Sequence, residues 1–190
     1  NLGEGRDGQQ VLEEIRHRKL IGVSSVFLMV TAENTRVMVM GAVEYEPDSY
    51  LAKPFTKDLL GQRLNNLLSM KADLVEIEQA IANRDHDLAN SLIDAKLASK
   101  SRNQNILTRL KAELAVQDRN FDEAVSIYQG VLNRREIAWA RLGLGKALFY
   151  KEHYLEAKEV FSELIRENER FMAAYDWLAK TQQMLNELDE

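Results

Sequence analysis

Cysteine is absent from the 190 residues, which excludes disulfides, cysteine-ligated zinc and thiol catalysis and fits a cytoplasmic setting. No apolar run approaches the ~20 residues of a membrane span. The opening Asn1–Gly8 has neither the basic start nor the apolar core of a secretory signal. The formal net charge is −5. With no basic tail and no Arg/Lys cluster interleaved with aromatics, neither nucleic acid nor membrane is an expected partner. No GxGxxG, P-loop, HExxH or GxSxG motif occurs. Asp and Glu are abundant but follow helix faces rather than pairing as acid and base, so an enzyme in its own right is not expected. His17, His86 and His153 lack an acidic or histidine partner at metal-ligand spacing and read as surface residues.

What is there begins with 45% hydrophobic residues, enough for real cores. Asn1 to Gly8 is polar and glycine-rich, a loop, and the run from Asp7 to Arg16 opens a helix with Val11, Leu12 and Ile15 on its apolar side. Ser25-Val26-Phe27-Leu28-Met29-Val30 is too short for a core helix and predicts a fully buried parallel strand. Val37, Met40 and Val43 then recur at helical spacing until Pro47-Asp48 breaks the pattern. Ser49-Tyr50-Leu51-Ala52 is a second short strand, closed by Lys53-Pro54-Phe55-Thr56, with Thr56 suited to cap a further helix. The order is strand, Thr31, helix, strand, Lys53-Pro54, helix. A hydroxyl at one strand's carboxyl end and an ammonium at the next can reach one anion, and open α/β sheets place their sites there.

Thr31 within VTA, and Tyr50, Lys53 and Pro54 within YLAKPFT, resemble the second half of a response-regulator receiver domain, a flavodoxin-like fold. The resemblance implies that Thr31 and Lys53 bind an aspartyl phosphate and that Pro54 holds a cis bond aiming Lys53. It makes Tyr50 the switch aromatic, although Tyr50 also reads as a half-buried edge-strand tyrosine. Asn1-Leu2 matches the pair that follows the phosphoacceptor Asp, so that Asp is expected upstream of Asn1, with the first strands, the first helices and the acidic magnesium ligands. The resemblance implies Mg2+ for a complete receiver, with the Asn1 backbone carbonyl as one ligand, and no metal bound by this stretch alone.

Leu60, Leu64, Leu67 and Leu68, then Leu74, Ile77 and Ile81, keep helical spacing, and no Gly or Pro occurs between Gly61 and Gly130. The helix from Thr56 is therefore expected to run close to, or into, the next domain. From about Lys71 the chain repeats. Asp85-His86-Asp87-Leu88-Ala89, Asn120-Phe121-Asp122-Glu123-Ala124 and His153-Tyr154-Leu155-Glu156-Ala157 place Ala89, Ala124 and Ala157 at intervals of 35 and 33 residues. With Leu144-Gly145, Ala157 and Phe161, this resembles the tetratricopeptide (TPR) repeat, whose period is about 34. Tyr175, Leu178 and Ala179 begin a fourth unit that is either a capping helix or the start of further repeats. Small residues let helices approach, and a large ring a turn later fills the gap. One unit cannot bury its face alone, so units stack.

The expected fold is thus mostly α. An incomplete α/β receiver covers 1–69, and an all-α domain of about three and a half TPR-like units covers 70–190 and folds independently. The TPR resemblance implies a groove lined by the first helices: Trp139, Leu142, Lys146, Phe149 and Tyr150 in the third unit, with Arg109, Glu113 and Val116 in the second. The aromatics there either meet a partner or pack between repeats. Together the two resemblances imply a two-component phosphorelay protein that takes a phosphoryl group from a sensor histidine kinase or phosphotransfer protein and controls a protein ligand of the groove. The alternative is a phosphorylation-independent scaffold with a degenerate receiver used for homodimerisation.

Overall fold

A computed structural model describes residues 8–18, 20–32, 47–167, 169 and 171–186. Among them are nine helices and two strands, and no helix is long and apolar enough to cross a membrane. Asn1 and the helix expected from the spacing of Val37, Met40 and Val43 lie outside the described residues.

Val11, Leu12 and Ile15 fall within α1 (Gly8–His17), and Leu12 is fully buried. The strands β1 (Leu28–Thr31) and β2 (Ser49–Ala52) pair in parallel, Leu28 opposite Ser49 and Thr31 opposite Ala52. β1 starts later than the run from Ser25 predicts, because the backbone there is used differently. Ser25 N–H closes a turn on Gly22 O at 3.2 Å, and Phe27 N–H donates to the Asp48 carboxylate at 2.7 Å. Side chains alternate between faces along a strand. α1 covers the face that carries Met29, since a Cβ on Gly8 would stand 2.5 Å from Met29 Sδ. α2 (Lys57–Ala72) lies on the opposite face, where Arg63 Nη1 donates to Ser49 Oγ at 3.2 Å. Full burial of the first strand is not met: Val30 is 41% exposed, because among the described residues the sheet has two strands only.

Thr56 caps α2, its Oγ1 accepting from Leu59 N–H at 3.2 Å. Asp73 and Leu74 alone separate α2 from α3 (Val75–Ala82), as the unbroken leucine spacing predicts. α4 (His86–Ala98) completes a hairpin with α3. The described chain divides into two compact units after Leu107, inside α5 (Gln104–Gln117). The reason is a set of polar side chains tying the later helices to the strands. The last turn of α2 buries Lys71, whose Nζ meets Asp48 Oδ1 at 2.8 Å and Val23 O at 2.8 Å. Glu78 on α3 accepts from Ser24 N–H at 3.0 Å. Asn103, before α5, donates from Nδ2 to Met70 O at 2.7 Å, satisfying a carbonyl in the last turn of α2.

The second unit continues with α6 (Phe121–Leu132), α7 (Ala138–Tyr150), α8 (Tyr154–Glu167) and α9 (Met172–Met184). A single turn recurs. Arg84, Arg119, Glu152 and Asn186 have φ of 60°, 61°, 66° and 57°, at intervals of 35, 33 and 34 residues (84 to 119, 119 to 152, 152 to 186). Their N–H groups bond to Ile81, Val116, Phe149 and Gln183 carbonyls. In the first three turns the following residue, Asp85, Asn120 or His153, bonds five residues back to Ala80, Ala115 or Leu148. This left-handed C-terminal motif satisfies helix-end carbonyls and turns the chain. The residue after the turn then serves the next helix start. Asp85 accepts from Leu88 N–H, Asn120 pairs with Glu123, and His153 pairs with Glu156 at 2.7 Å. α9 ends with the same φ and first bond as α3, α5 and α7, and α4 ends in this turn as well, with Lys100 at φ 55° bonded to Leu97 O, outside the 33–35-residue interval.

Ala89, Ala124 and Ala157 are fully buried. A Cβ on Gly145 would lie 2.4 Å from the Phe161 ring, and one on Gly143 would lie 2.3 Å from Tyr128. Each glycine on α7 thus seats an aromatic ring from a neighbouring helix, Phe161 on α8 and Tyr128 on α6. Gly143 was not singled out by the sequence spacing. Gly145→Ala is expected to cost about 1–3 kcal/mol in urea unfolding by forcing the Phe161 ring aside; unchanged stability would show that the ring has free space to move.

Candidate functional site

The parallel register decides what stands at the carboxyl ends of the strands. Thr31 closes β1 opposite Ala52, and Lys53 follows directly, its N–H donating to Thr31 O at 2.7 Å. Thr31 is half-buried, Lys53 and Pro54 are exposed, and the Lys53–Pro54 peptide bond is cis. Tyr50 stands on β2 opposite Met29 and is 38% exposed. Residue spacing alone places Thr31 and Lys53 22 positions apart; the sheet makes them neighbours. The contact between them is backbone to backbone, at the carboxyl ends of both strands. Among the described residues no group of three or more His, Cys, Asp or Glu is arranged to hold a metal ion, and Asn1 lies outside them.

The second candidate is the face carried by α5, α7 and α9. The Arg109 guanidinium lies 5.6 Å from the Trp139 ring centre while its Nε donates to Glu113 at 2.8 Å. Trp139 meets Tyr128 edge-on. Lys146 and Lys180 lie over Trp177 at 5.5 and 4.5 Å, a contact in which the ring quadrupole attracts the cation. Tyr150 stacks on Phe121 and meets Trp177 edge-on, yet remains 46% exposed. Leu142 is 2% exposed and belongs to the core rather than to a groove surface. Phe149 is half-buried, edge-on to both Tyr154 and Trp177. Arg109, Trp139, Lys146 and Tyr150 keep exposed or partly exposed surface.

Trp177 and Lys180 were missed. Glu78, Glu113, Lys146 and Lys180 each stand six residues before a left-handed turn residue, a register that locates Lys180 but not Trp177. His153 is held by Glu156 and stays exposed. A shallow depression lined by Arg141, Glu163, Arg166 and Glu167 holds charges that pair among themselves. Partial burial works against the Arg141 charge, but hydrogen bonds to Glu167 and Glu136 hold its pKa above the ordinary value.

Comparison with protein-family models, curated proteins and solved structures returned no match.

Burial raises the pKa of Tyr128 above its ordinary 10.0, with the Glu113 charge adding to the rise and Arg109 opposing it. The folded state keeps a proton that the unfolded chain loses. This stabilisation is complete below pH 10 and declines as pH rises above it. Folding stability should fall more steeply as pH rises above 10 in the wild type than in Tyr128→Phe; equal slopes in denaturant titrations would contradict the assignment.

Proposed function

We propose that the chain belongs to a two-component response regulator, in which phosphorylation of a receiver-like strand unit controls the binding of a protein ligand by TPR-like helical hairpins. The observation that carries this reading is the adjacency of Thr31 and Lys53 at the carboxyl ends of two parallel strands, with Lys53 N–H bonded to Thr31 O at 2.7 Å. In this reading the Thr31 hydroxyl donates to one phosphoryl oxygen and the Lys53 ammonium neutralises another as a point charge. Tyr50 shares a face of the sheet with Thr31 and is exposed beside it, the place for a side chain whose setting changes with the anion.

The recurring turn and the alternation of small residues with rings support the helical-repeat half of the reading. Arg109, Trp139, Lys146 and Tyr150, joined by Trp177 and Lys180, are the surface assigned to a protein ligand. The phosphoryl donor is a sensor histidine kinase or a phosphotransfer protein, and the setting is cytoplasmic. The protein acts as a switch rather than as a metabolic enzyme.

The test uses inorganic phosphate followed by NMR. Thr31 and Lys53 amides should shift together on titration, and Lys53→Ala should weaken the effect by about ten-fold, the loss of one charge-assisted hydrogen bond. Shifts that ignore Lys53→Ala, or that cluster elsewhere, would remove the basis for the phosphate role.

A further inference from the structure

The segment before β1 is held in an unusual way. Three helices each commit one charged side chain to three successive residues. Arg16 on α1 donates to Gly22 O at 2.7 Å, Lys71 on α2 to Val23 O at 2.8 Å, and Glu78 on α3 accepts from Ser24 N–H at 3.0 Å. Lys71 also pairs with Asp48, whose other oxygen holds Phe27 N–H at 2.7 Å. The amino ends of both strands and the first helical hairpin therefore share one polar joint. Gly22 is the residue that makes room for it: a Cβ there would stand 1.3 Å from Glu78 Oε1.

The repeat register shows how particular this is. Glu78 holds the place that Glu113, Lys146 and Lys180 hold in the later first helices. There the side chains engage Arg109 and Trp177, both within the helical unit. In α3 the same place grips backbone of the strand unit instead.

We infer that α3–α4, although built like a repeat, is an integral part of the strand unit, docked on residues 22–24 as its partner surface and opening together with β1 and β2. The independent ligand-binding stack then begins at α5. A change in the strands reaches the helices through Gly22–Ser24 and Glu78 as well as along α2. This docking does not depend on the phosphate reading, and its test uses no anion, so the two can fail separately.

The experiment is native-state hydrogen exchange on the whole chain at sub-denaturing urea. In the wild type, the slowest amides of β1, β2, α3 and α4 should lose protection in one common step, separate from α7–α9. Glu78→Ala should lower protection across both the strands and α3–α4 by about ten-fold, the loss of one hydrogen bond to a charged group, and leave α7–α9 unchanged. Gly22→Ala should do the same, because its methyl displaces the flexible end of Glu78. The double variant should lose no more than either single change, since both remove one contact. If a variant loses its strands altogether, loss of α3–α4 protection alongside them supports the docking. Retention of α3–α4 protection overturns it, as do additive effects or an α3–α4 that opens with α7–α9 in the wild type.

Discussion

Lys71 carries its charge to a place where 3% of its side chain meets solvent, and Asp48 opposite it is 9% exposed. Desolvating two such groups is costly, and a buried pair repays the cost only when the remaining hydrogen-bonding capacity is also met. Here it is. The ammonium reaches both a carboxylate oxygen and Val23 O, and the second carboxylate oxygen takes Phe27 N–H. Asp48 precedes β2, Phe27 precedes β1, and Lys71 ends α2, so one ion pair fixes where both strands begin and where the covering helix stops. The pairing of Leu28 with Ser49 follows from that start, and with it the rung of Thr31 and Ala52 three residues later and the bond from Lys53 N–H to Thr31 O. A one-residue slip of either strand would move Lys53 off Thr31 and turn that strand's side chains to the other face.

The helical hairpins rely on a different device. Their turns place Arg, Lys, Arg, Glu and Asn, rather than glycine, in the left-handed region. Glycine pays the least steric cost there, so the turn is sustained by what surrounds it: backbone bonds into the preceding helix and, after Arg84, the Asp85 side-chain cap of the next. Glycine is kept instead for close approach, at Gly143 under Tyr128 and Gly145 under Phe161. The glycines of α7 therefore serve packing and the turn residues serve connectivity, a division that allows the turn side chains to vary.

The first of these devices was the harder to read in advance. The second strand, the Thr56 cap, the near-continuous passage from α2 to α3 and the helix pairs around Ala89, Ala124 and Ala157 were legible, because propensity, capping and period are local properties of a chain. Lys71 stands where the repeats begin, and nothing in its neighbours along the sequence marks it as buried. Its partners lie 23 and 48 positions away, a distance that a one-dimensional pattern does not encode. Leu142 and Phe149 fell on the expected helix face by spacing, yet packing against neighbouring helices took them into the interior or between helices. Lys180 falls into the repeat register only once the left-handed turns are known, and Trp177 has no equivalent ring in that register.

The sequence by itself determined the elements, their order and the places of hydroxyl, ammonium and rings along them, since these follow from residue size, branching and hydrogen-bonding groups within a few positions. Tertiary structure alone decided that Lys71 is buried, that Glu78 grips the segment before β1, and that Thr31 and Lys53 are neighbours. Each of those depends on which distant groups must satisfy one another when water is excluded, and that choice is made only when the elements meet.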